Sequence, residues 1–350
     1  MRLEPRQSIS GWASALSPLI ALISAFAICA LLIVWAGESP FTAYWALIKG
    51  ALGSSFAITE SLTRAIPLIF TGLAAAVAFR ARFWNIGAEG QLYFGALAAT
   101  WLGTGLVSLP APLMIPFLFI AGALAGCLIL LVPVLLKTYM KVDEVVTTLL
   151  LNFVVLLFVN FLLEGPLKDP MAMGWPQAAP IIDQGLLPVL IAKSRLHAGF
   201  IIALVMSVLM WFMLRFTVWG YEIRAVGHNP RAAAFFGISI NRSVFMVALL
   251  SGGLAGMAGV SEVTGLKGYL TLDISPGFGY TGIAVAMLAQ LKPIGVIFSA
   301  IFMAGVYVGA DAMSRTVGIP NYIADVLVAV SLLAILVSSM LTRYKLVWGK

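Results

Sequence analysis

The sequence carries few charged residues for its length. Asp, Glu, Lys and Arg together make up 10% of its 350 residues, while hydrophobic residues make up 61% and the mean hydropathy is +1.04. A soluble domain carries about 25% charged residues, because it must cover a surface that faces water. This shortage excludes a soluble fold and predicts one membrane domain over residues 1–350, with the lipid bilayer as its main solvent.

Reactive and metal-binding residues are scarce as well. The two cysteines, Cys29 and Cys127, lie inside apolar runs, and their context favours neither a disulfide nor a metal site. The two histidines, His197 and His228, lie in predicted loops without metal-ligand spacing. The G-x4-G-K-[S/T] loop that binds ATP is missing. The sequence therefore predicts no metal, no cofactor and no ATP site of its own, and no nucleophile–base set indicates an enzyme.

The net charge of +7 is not gathered into a patch that would bind nucleic acid. The 21 Lys and Arg residues occur in twos and threes between apolar runs, without interleaved aromatic residues. A basic excess in a membrane protein usually comes from loops that stay in the cytoplasm. We therefore expect the lipid bilayer, and not nucleic acid, as a partner.

Ten apolar segments approach the length of a membrane-spanning helix, which is about 20 residues. They are residues 12–36, 62–79, 86–107, 112–136, 145–163, 198–218, 242–262, 278–291, 294–312 and 322–341. With a cytoplasmic N-terminus, fourteen Lys and Arg residues fall on the inner side and seven on the outer side. The sequence predicts an all-α polytopic membrane helix bundle of about ten transmembrane helices, with broken or re-entrant segments and both termini in the cytoplasm.

Three loops between these segments are long. The outer residues 37–61 are predicted to form an amphipathic segment at the interface, and the outer residues 164–197, with five prolines, an irregular cap. This cap is either a solvated connector or a docking surface for an external partner. In the inner loop, residues 219–241, Asn229-Pro230 predicts the start of a short helix and Gly237 its end.

One break in the apolar pattern lies at residues 80–91. Its polar residues are Asn85, Glu89 and Gln91, at the start of an apolar helix. A carboxylate in hydrocarbon is costly, so Glu89 is expected to face protein or a water-filled path. The segment is either a broken helix that lines a translocation route or an anchor in which Glu89 pairs with Arg80 or Arg82.

The second break lies at residues 275–282. It contains the G-x-G-x-x-G pattern of dinucleotide-binding folds, but no strand precedes it and no acidic residue follows about 20 residues later. The pattern instead opens a short apolar run that Lys292-Pro293 ends, which favours a half-helix or re-entrant element. Interrupted segments in both halves of a transporter indicate its pathway, so Gly279 and Thr281 are candidate pathway residues.

Further polar and small residues lie within the apolar segments. Asp143-Glu144 stand at a helix start, where acids favour the helix dipole, and Asn152 either faces the pathway or forms an internal hydrogen bond. The small-residue run 251–259 favours close packing within the bundle. Asp311 and Asp325, with Glu89, are the acids that an ion-driven transporter could use.

Four segments resemble one protein family. Residues 83–91 resemble its F-N-I-G-x-E-G-Q segment, with Trp84 inserted, and residues 143–152 are similar to its D-E-V-x-x-T-x-x-x-N run. Residues 224–238 resemble its R-A-x-G-x-N-P-x-A-A-x-x-x-G-I cytoplasmic loop, and residues 277–288 its G-x-G-x-x-x-I-A-V-A-x-L segment. In this order the chain resembles the permease subunits of bacterial ABC importers, in the nucleoside branch of the sugar/nucleoside permease family.

The resemblance implies a function and its partners. Such a permease forms the pathway for nucleosides or related purine and sugar solutes across the bacterial inner membrane, often beside a second, non-identical permease. A cytoplasmic ATPase with two nucleotide-binding halves drives transport, and an extracytoplasmic solute-binding lipoprotein or periplasmic protein delivers the solute. The alternative is a stand-alone secondary transporter driven by ions.

The resemblance also assigns residues to roles. The residues of the substrate pathway would be Asn85, Glu89, Gln91, Asn152, Gly279 and Thr281. The loop at residues 219–241 would seat in a groove of the ATPase as a coupling helix. Its contact residues would be Glu222, Arg224, Gly227, His228, Asn229, Pro230, Arg231 and Gly237.

Overall fold

The computed structural model describes residues 2–5, 11–320 and 344–347, together with the pairs 322–323, 325–326, 329–330, 333–334 and 337–338. The described chain is mainly helical, as the apolar runs predict. Its helices are α1 (Gly11–Trp35), α2 (Pro40–Leu52), α3 (Ser55–Arg80), α4 (Ala88–Gly103), α5 (Ala111–Met140), α6 (Glu144–Glu164), α7 (Gly199–Phe216), α8 (Val218–His228), α9 (Pro230–Phe235), α10 (Ile240–Glu262), α11 (Phe278–Leu288) and α12 (Pro293–Val317). A π-helical turn, Val263–Lys267, continues α10, and strands β1 (Arg2–Pro5) and β2 (Tyr344–Val347) stand near the chain ends.

Six helices in the described part of the chain are long and apolar enough to cross a membrane: α3, α5, α6, α7, α12, and α10 with its π turn. A seventh crossing results if Ile23–Trp35 and Pro40–Leu52, which meet at 117°, form one broken span. The described residues thus contain six or seven candidate spans, and the count of about ten stays a prediction. Half of the tenth predicted segment, residues 322–341, lies outside the described residues.

Two predicted segments are too short to cross alone. The helix α4 has 16 residues and α11 has 11. At 1.5 Å per residue they extend about 24 Å and about 16 Å, and the hydrocarbon core is about 30 Å thick. Therefore α11 is too short to cross the hydrocarbon core by itself, and its length is consistent with the predicted half-helix.

One predicted boundary is wrong by about two helical turns. The segment predicted at residues 62–79 belongs to α3, which begins at Ser55. Its first turns carry Thr59, Glu60 and Ser61. These polar side chains lower the local hydropathy, so the apolar pattern places the start of the helix too late. The outer segment 37–61 is therefore helical along most of its length, as α2 and the start of α3.

The described chain divides into two compact units, Met1–Ser61 with Phe302–Lys350, and Leu62–Ile301. In the first unit, Ile33, Leu47 and Met313 form an apolar core between α1, α2 and α12. The strands β1 and β2 of this unit pair antiparallel, and they add a two-stranded ribbon that the all-α prediction did not include. Each strand has only four residues, which is too short to leave a pattern in the sequence.

The second unit is built around α10, which packs against α4 and α5 through glycines. A Cβ atom on Gly256 would overlap the carbonyl oxygen of Gly122, and one on Gly252 would lie 2.6 Å from the carbonyl oxygen of Gly126. The run 251–259 therefore packs closely within the chain, as predicted. This packing brings α10 against the start of α4, where the first break lies.

Candidate translocation and coupling sites

The connection between α3 and α4 is a compact turn. The helix α3 ends at Arg80, Arg82 has a left-handed backbone with φ of 56°, and α4 begins at Ala88. Gly87 precedes α4 and offers no side chain to cap it. The first amides of a helix have no partner within the helix, so acceptors must come from other residues.

Asn85 forms the centre of a buried polar network. Its side chain is 1% exposed, and its Nδ2 atom donates to Gln91 Oε1 and to Ser251 Oγ, both at 2.9 Å. Its Oδ1 atom accepts from Gln91 Nε2 and from the Gly87 amide, also at 2.9 Å. Because an Asn amide has two donors and two acceptor positions, all of its capacity is used. Asn85 therefore joins the α3–α4 connection to α10 without needing water.

Asn152 extends this network from α6. Its Oδ1 atom accepts from the Gly90 amide at 2.8 Å, and its Nδ2 atom donates at 3.0 Å to Ile86 O and to Tyr280 Oη. The internal hydrogen bonding that the sequence allowed for Asn152 is thus present. Tyr280 is 37% exposed, so the network reaches the surface of the subunit at the start of α11.

Glu89 lies opposite the first turn of α11. Its carboxylate is 3% exposed and accepts a hydrogen bond from the Gly279 amide at 2.6 Å. The neighbouring amides of Gly277 and Phe278 donate to Ser275 Oγ at 3.2 and 2.9 Å. The anchoring partner expected for Glu89 was Arg80 or Arg82; the structure places the amino end of α11 there instead. A carboxylate at a helix N-terminus is favoured by the helix dipole.

Gly279 and Thr281 complete the set of predicted pathway residues. A Cβ atom on Gly279 would overlap the backbone of Glu89, so only glycine allows α4 and α11 to approach this closely. Thr281 is buried one half-turn further along α11, and Thr71 Oγ1 of α3 donates to Phe278 O at 3.0 Å. All six predicted pathway residues thus lie around the starts of α4 and α11.

A separate apolar cavity of about 400 Å³ lies between α4 and α6. Its walls are formed by Phe94, Leu97, Ala98, Trp101, Phe158, Leu162, Pro166 and Leu167. None of the six predicted pathway residues lines it. Among the described residues, no group of three or more His, Cys, Asp and Glu side chains could hold a metal ion.

The predicted inner loop forms two short helices, α8 and α9. Asn229 ends the first and caps the second, since its Oδ1 atom accepts from the amides of Arg231 and Ala232 at 3.1 and 3.2 Å. Pro230 is the first residue of α9, and Gly237 follows it with a left-handed φ of 82°. The predicted start and end of this helix are confirmed.

The charged residues of this loop are spread over its surface. Glu222 and Arg224 are half-buried, whereas His228 and Arg231 are exposed. Gly227 differs from them: a Cβ atom there would overlap the carbonyl oxygen of Arg80. Gly227 therefore lets α8 pack directly on the end of α3, and it faces the subunit itself.

The sequence patterns did not predict a role for two exposed aromatic residues on this loop. Phe235 and Phe236 are 86% and 80% exposed, and their rings meet edge to face at 5.6 Å between centroids. An aromatic pair next to polar residues on a predicted cytoplasmic loop was the available signal. Tyr280 was missed as well, because its hydrogen bond to Asn152 joins residues 128 apart in the chain.

The outer cap at residues 164–197 has one 3-10 turn and is otherwise irregular, as predicted. His197 at its end is fully buried, its Nδ1 atom accepts from the Gly199 amide at 3.2 Å, and burial lowers its pKa to about 4. In the loop between α10 and α11, hydrogen bonds from Thr271 and Lys267 lower the pKa of the Asp273 carboxyl. The cap is thus folded against the subunit.

Comparison with known proteins identifies the family of this chain. Residues 57–336 match the family described as branched-chain amino acid transport system / permease component. The chain is 35% identical to the guanosine ABC transporter permease protein NupP of Bacillus subtilis, over 96% of each chain. It is 33% identical to the nucleoside ABC transporter permease protein NupB of Lactococcus lactis, over 90% of this chain and 88% of that one. It is 32% identical to the glucose ABC transporter permease protein TsgB13 of Haloferax volcanii, over 99% of this chain and 93% of that one. The chain therefore belongs to this family of multi-pass membrane permeases and is a permease subunit of an ABC transporter.

Proposed function

We propose that this permease imports nucleosides or related purine and sugar solutes across the bacterial inner membrane. The observation that carries the proposal is the identity of 35% to a guanosine permease along 96% of both chains. A second relative at 33% is named for nucleosides. The relative at 32% is named for glucose, which keeps a sugar within the proposed range of solutes.

The proposed pathway runs along α11. Tyr280, Ile283 and Met287 are at least partly exposed and stand at positions i, i+3 and i+7, so they share one face of this helix. The six buried residues from Asn85 to Thr281 shape the pathway by holding this face in position. Because α11 crosses only part of the bilayer, one subunit does not enclose a complete route, and a second permease, non-identical to this one, supplies the opposite wall.

An extracytoplasmic solute-binding lipoprotein or periplasmic protein delivers the solute at the outer cap. Met171, Met173 and Trp175 of this cap are 86%, 99% and 75% exposed. The cap is held to the loop after α10 by backbone hydrogen bonds such as Ala178 N to Leu270 O at 3.0 Å. A fixed surface with exposed apolar side chains favours docking of a partner over a simple connector.

A cytoplasmic ATPase with two nucleotide-binding halves binds the loop at residues 219–241. The charged residues Glu222, Arg224, His228 and Arg231 surround the contact, and Asn229, Pro230 and Gly237 shape α9. Phe235 and Phe236 are the apolar anchors, because large exposed aromatic side chains contribute most when a partner buries them.

The proposed topology keeps about ten crossings with both termini in the cytoplasm, in one membrane domain. The pairing of β1 with β2 supports an even number of crossings, since it brings the two ends of the chain together. The ion-driven alternative has weaker support, because the relatives are named as ABC permeases and the Glu89 carboxylate is bound by α11.

Uptake by the reconstituted complex tests this function. The permease would be co-expressed with its ATPase, second permease and receptor. The purified complex would be placed in proteoliposomes, and uptake would be measured with and without ATP. We expect ATP-dependent accumulation of labelled guanosine that unlabelled nucleosides reduce more than glucose does. Accumulation driven by an ion gradient without ATP, or transport of neither solute class, would contradict the proposal.

A further inference from the structure

The short helix α11 is fixed at its amino end by a charge. Glu89 on α4 accepts a hydrogen bond from the Gly279 amide at 2.6 Å, and the carboxylate is 3% exposed. The first amides of a helix lack partners within the helix and carry partial positive charge. A buried carboxylate at this point therefore holds α11 more firmly than apolar contact alone would.

The turn that closes α11 is fixed by the opposite charge. Arg80 Nε, at the end of α3, donates to Leu291 O at 2.9 Å. Gln290 and Leu291 both have left-handed backbones, with φ of 52° and 58°. Residues other than glycine are disfavoured in this conformation, because their Cβ atom approaches the backbone too closely, so the turn needs support from its surroundings. Residues with strained backbone conformations are common in segments that switch between conformations.

Both charges belong to one stretch of chain. Arg80 is the last residue of α3 and Glu89 is the second residue of α4, so residues 80–89 hold α11 at both ends. The same stretch contacts the cytoplasmic loop, because Gly227 of α8 packs on the carbonyl group of Arg80 without space for a side chain. A displacement of α8 is therefore passed to residues 80–89 by direct backbone contact.

We infer that Arg80 and Glu89 are positioning residues that couple the cytoplasmic loop to α11. This inference rests on the proposed function, in which the loop binds the ATPase and α11 borders the pathway. When the ATPase moves α8, the contact at Gly227 moves residues 80–89, and the two charges carry α11 with them. The pathway side of α11 then changes its position in step with ATP hydrolysis.

The test separates coupling from folding. Arg80→Gln and Glu89→Leu would each be reconstituted with the partner subunits, and ATP hydrolysis and solute uptake would be measured on the same vesicles. We expect uptake per ATP hydrolysed to fall about tenfold, a fold-change within the range of coupling between two sites. ATP hydrolysis itself should stay close to wild type. Amides of residues 278–291 should exchange hydrogen faster, because α11 is released at its ends.

Conservative and distant variants serve as controls. Arg80→Lys keeps both the charge and a donor and should recover most of the coupling, whereas Glu89→Gln keeps an acceptor without the charge and should recover only part of it. Arg242→Gln removes an exposed arginine from the start of α10, and Glu38→Gln removes an exposed carboxylate from the connection between α1 and α2; both should behave as wild type.

Two results would overturn the inference. One is wild-type uptake per ATP in Arg80→Gln and Glu89→Leu. The other is an equal loss of uptake and hydrolysis that follows the amount of folded complex, which indicates a role in folding alone. If the wild-type complex does not transport with ATP, the proposed function fails, while hydrogen exchange still decides whether these two residues hold α11.

Discussion

At the residue scale, the buried polar side chains of this permease satisfy one another. Asn85 and Asn152 use their amide groups fully or nearly so, and Glu89 binds backbone amides. A polar group in hydrocarbon costs several kcal/mol when unpaired, and these contacts remove that cost. The sequence identified these residues as candidate pathway residues, because each interrupts an apolar run. It did not predict their hydrogen-bond partners.

His197 is expected to make the outer cap sensitive to acid. Burial lowers its pKa to about 4 in the folded protein, whereas an exposed histidine has a pKa of about 6.5. Between these values the unfolded cap binds more protons than the folded cap. The free energy of unfolding of the cap is therefore highest above pH 6.5. Protonation of His197 in the unfolded state lowers it as the pH falls towards 4, by about 3 kcal/mol in total.

Hydrogen exchange of peptides covering residues 186–200 at pH 7.5 and pH 5 measures this effect, after correction for the intrinsic pH dependence of exchange. Wild type should lose protection at pH 5, and His197→Leu should show a smaller loss. His228→Leu, which removes an exposed histidine, should keep the wild-type response. An identical pH response in wild type and His197→Leu would show that His197 is not the titrating group.

At the element scale, the aromatic pair Phe235 and Phe236 at the end of α9 is expected to dominate ATPase binding. Alanine at Phe235 or Phe236 should weaken co-purification of the ATPase about tenfold, as for a central aromatic anchor in an interface. The caps of α9 stay intact in these variants, because Asn229 and Gly237 are unchanged. The fraction of ATPase retained on the tagged permease complex measures the effect.

A matched control exists on α6, a candidate membrane span. Phe161 of α6 is 65% exposed, so Phe161→Ala removes a similar aromatic area away from the loop and should leave ATPase binding unchanged. Full ATPase retention by the double variant Phe235→Ala/Phe236→Ala would show that the charged residues of the loop carry the contact without the aromatic pair.

The short helices illustrate what the sequence could predict at this scale. Asn229-Pro230 and Gly237 predicted α9 correctly, because helix caps depend on neighbouring residues only. The start of α3 was predicted too late, because hydropathy does not register a helix whose first turns are polar. In the structure those turns belong to the continuous helix Ser55–Arg80.

At the scale of the whole molecule, the outer cap and the cytoplasmic loop are expected to lie on opposite sides of the membrane. In a variant without native cysteines, a cysteine at Lys193 should react with an impermeant maleimide in intact cells. A cysteine at Phe235 should react only after the membrane is opened. Both positions are exposed when the permease is expressed without its ATPase, so their access then depends on the side of the membrane. Labelling of both positions in intact cells would contradict the topology.

The sequence by itself determined the class of the protein, most helix positions and the caps of α9. Composition, hydropathy and capping act over a few residues and are visible in the chain. Only the tertiary structure decided that Glu89 binds α11, that Arg80 supports its closing turn, and that Phe235 and Phe236 stay exposed. Glu89 and Gly279 are 190 residues apart, and Arg80 and Leu291 are 211 apart. Such pairs are selected by helix packing, in which glycines such as Gly279 set how closely two backbones approach.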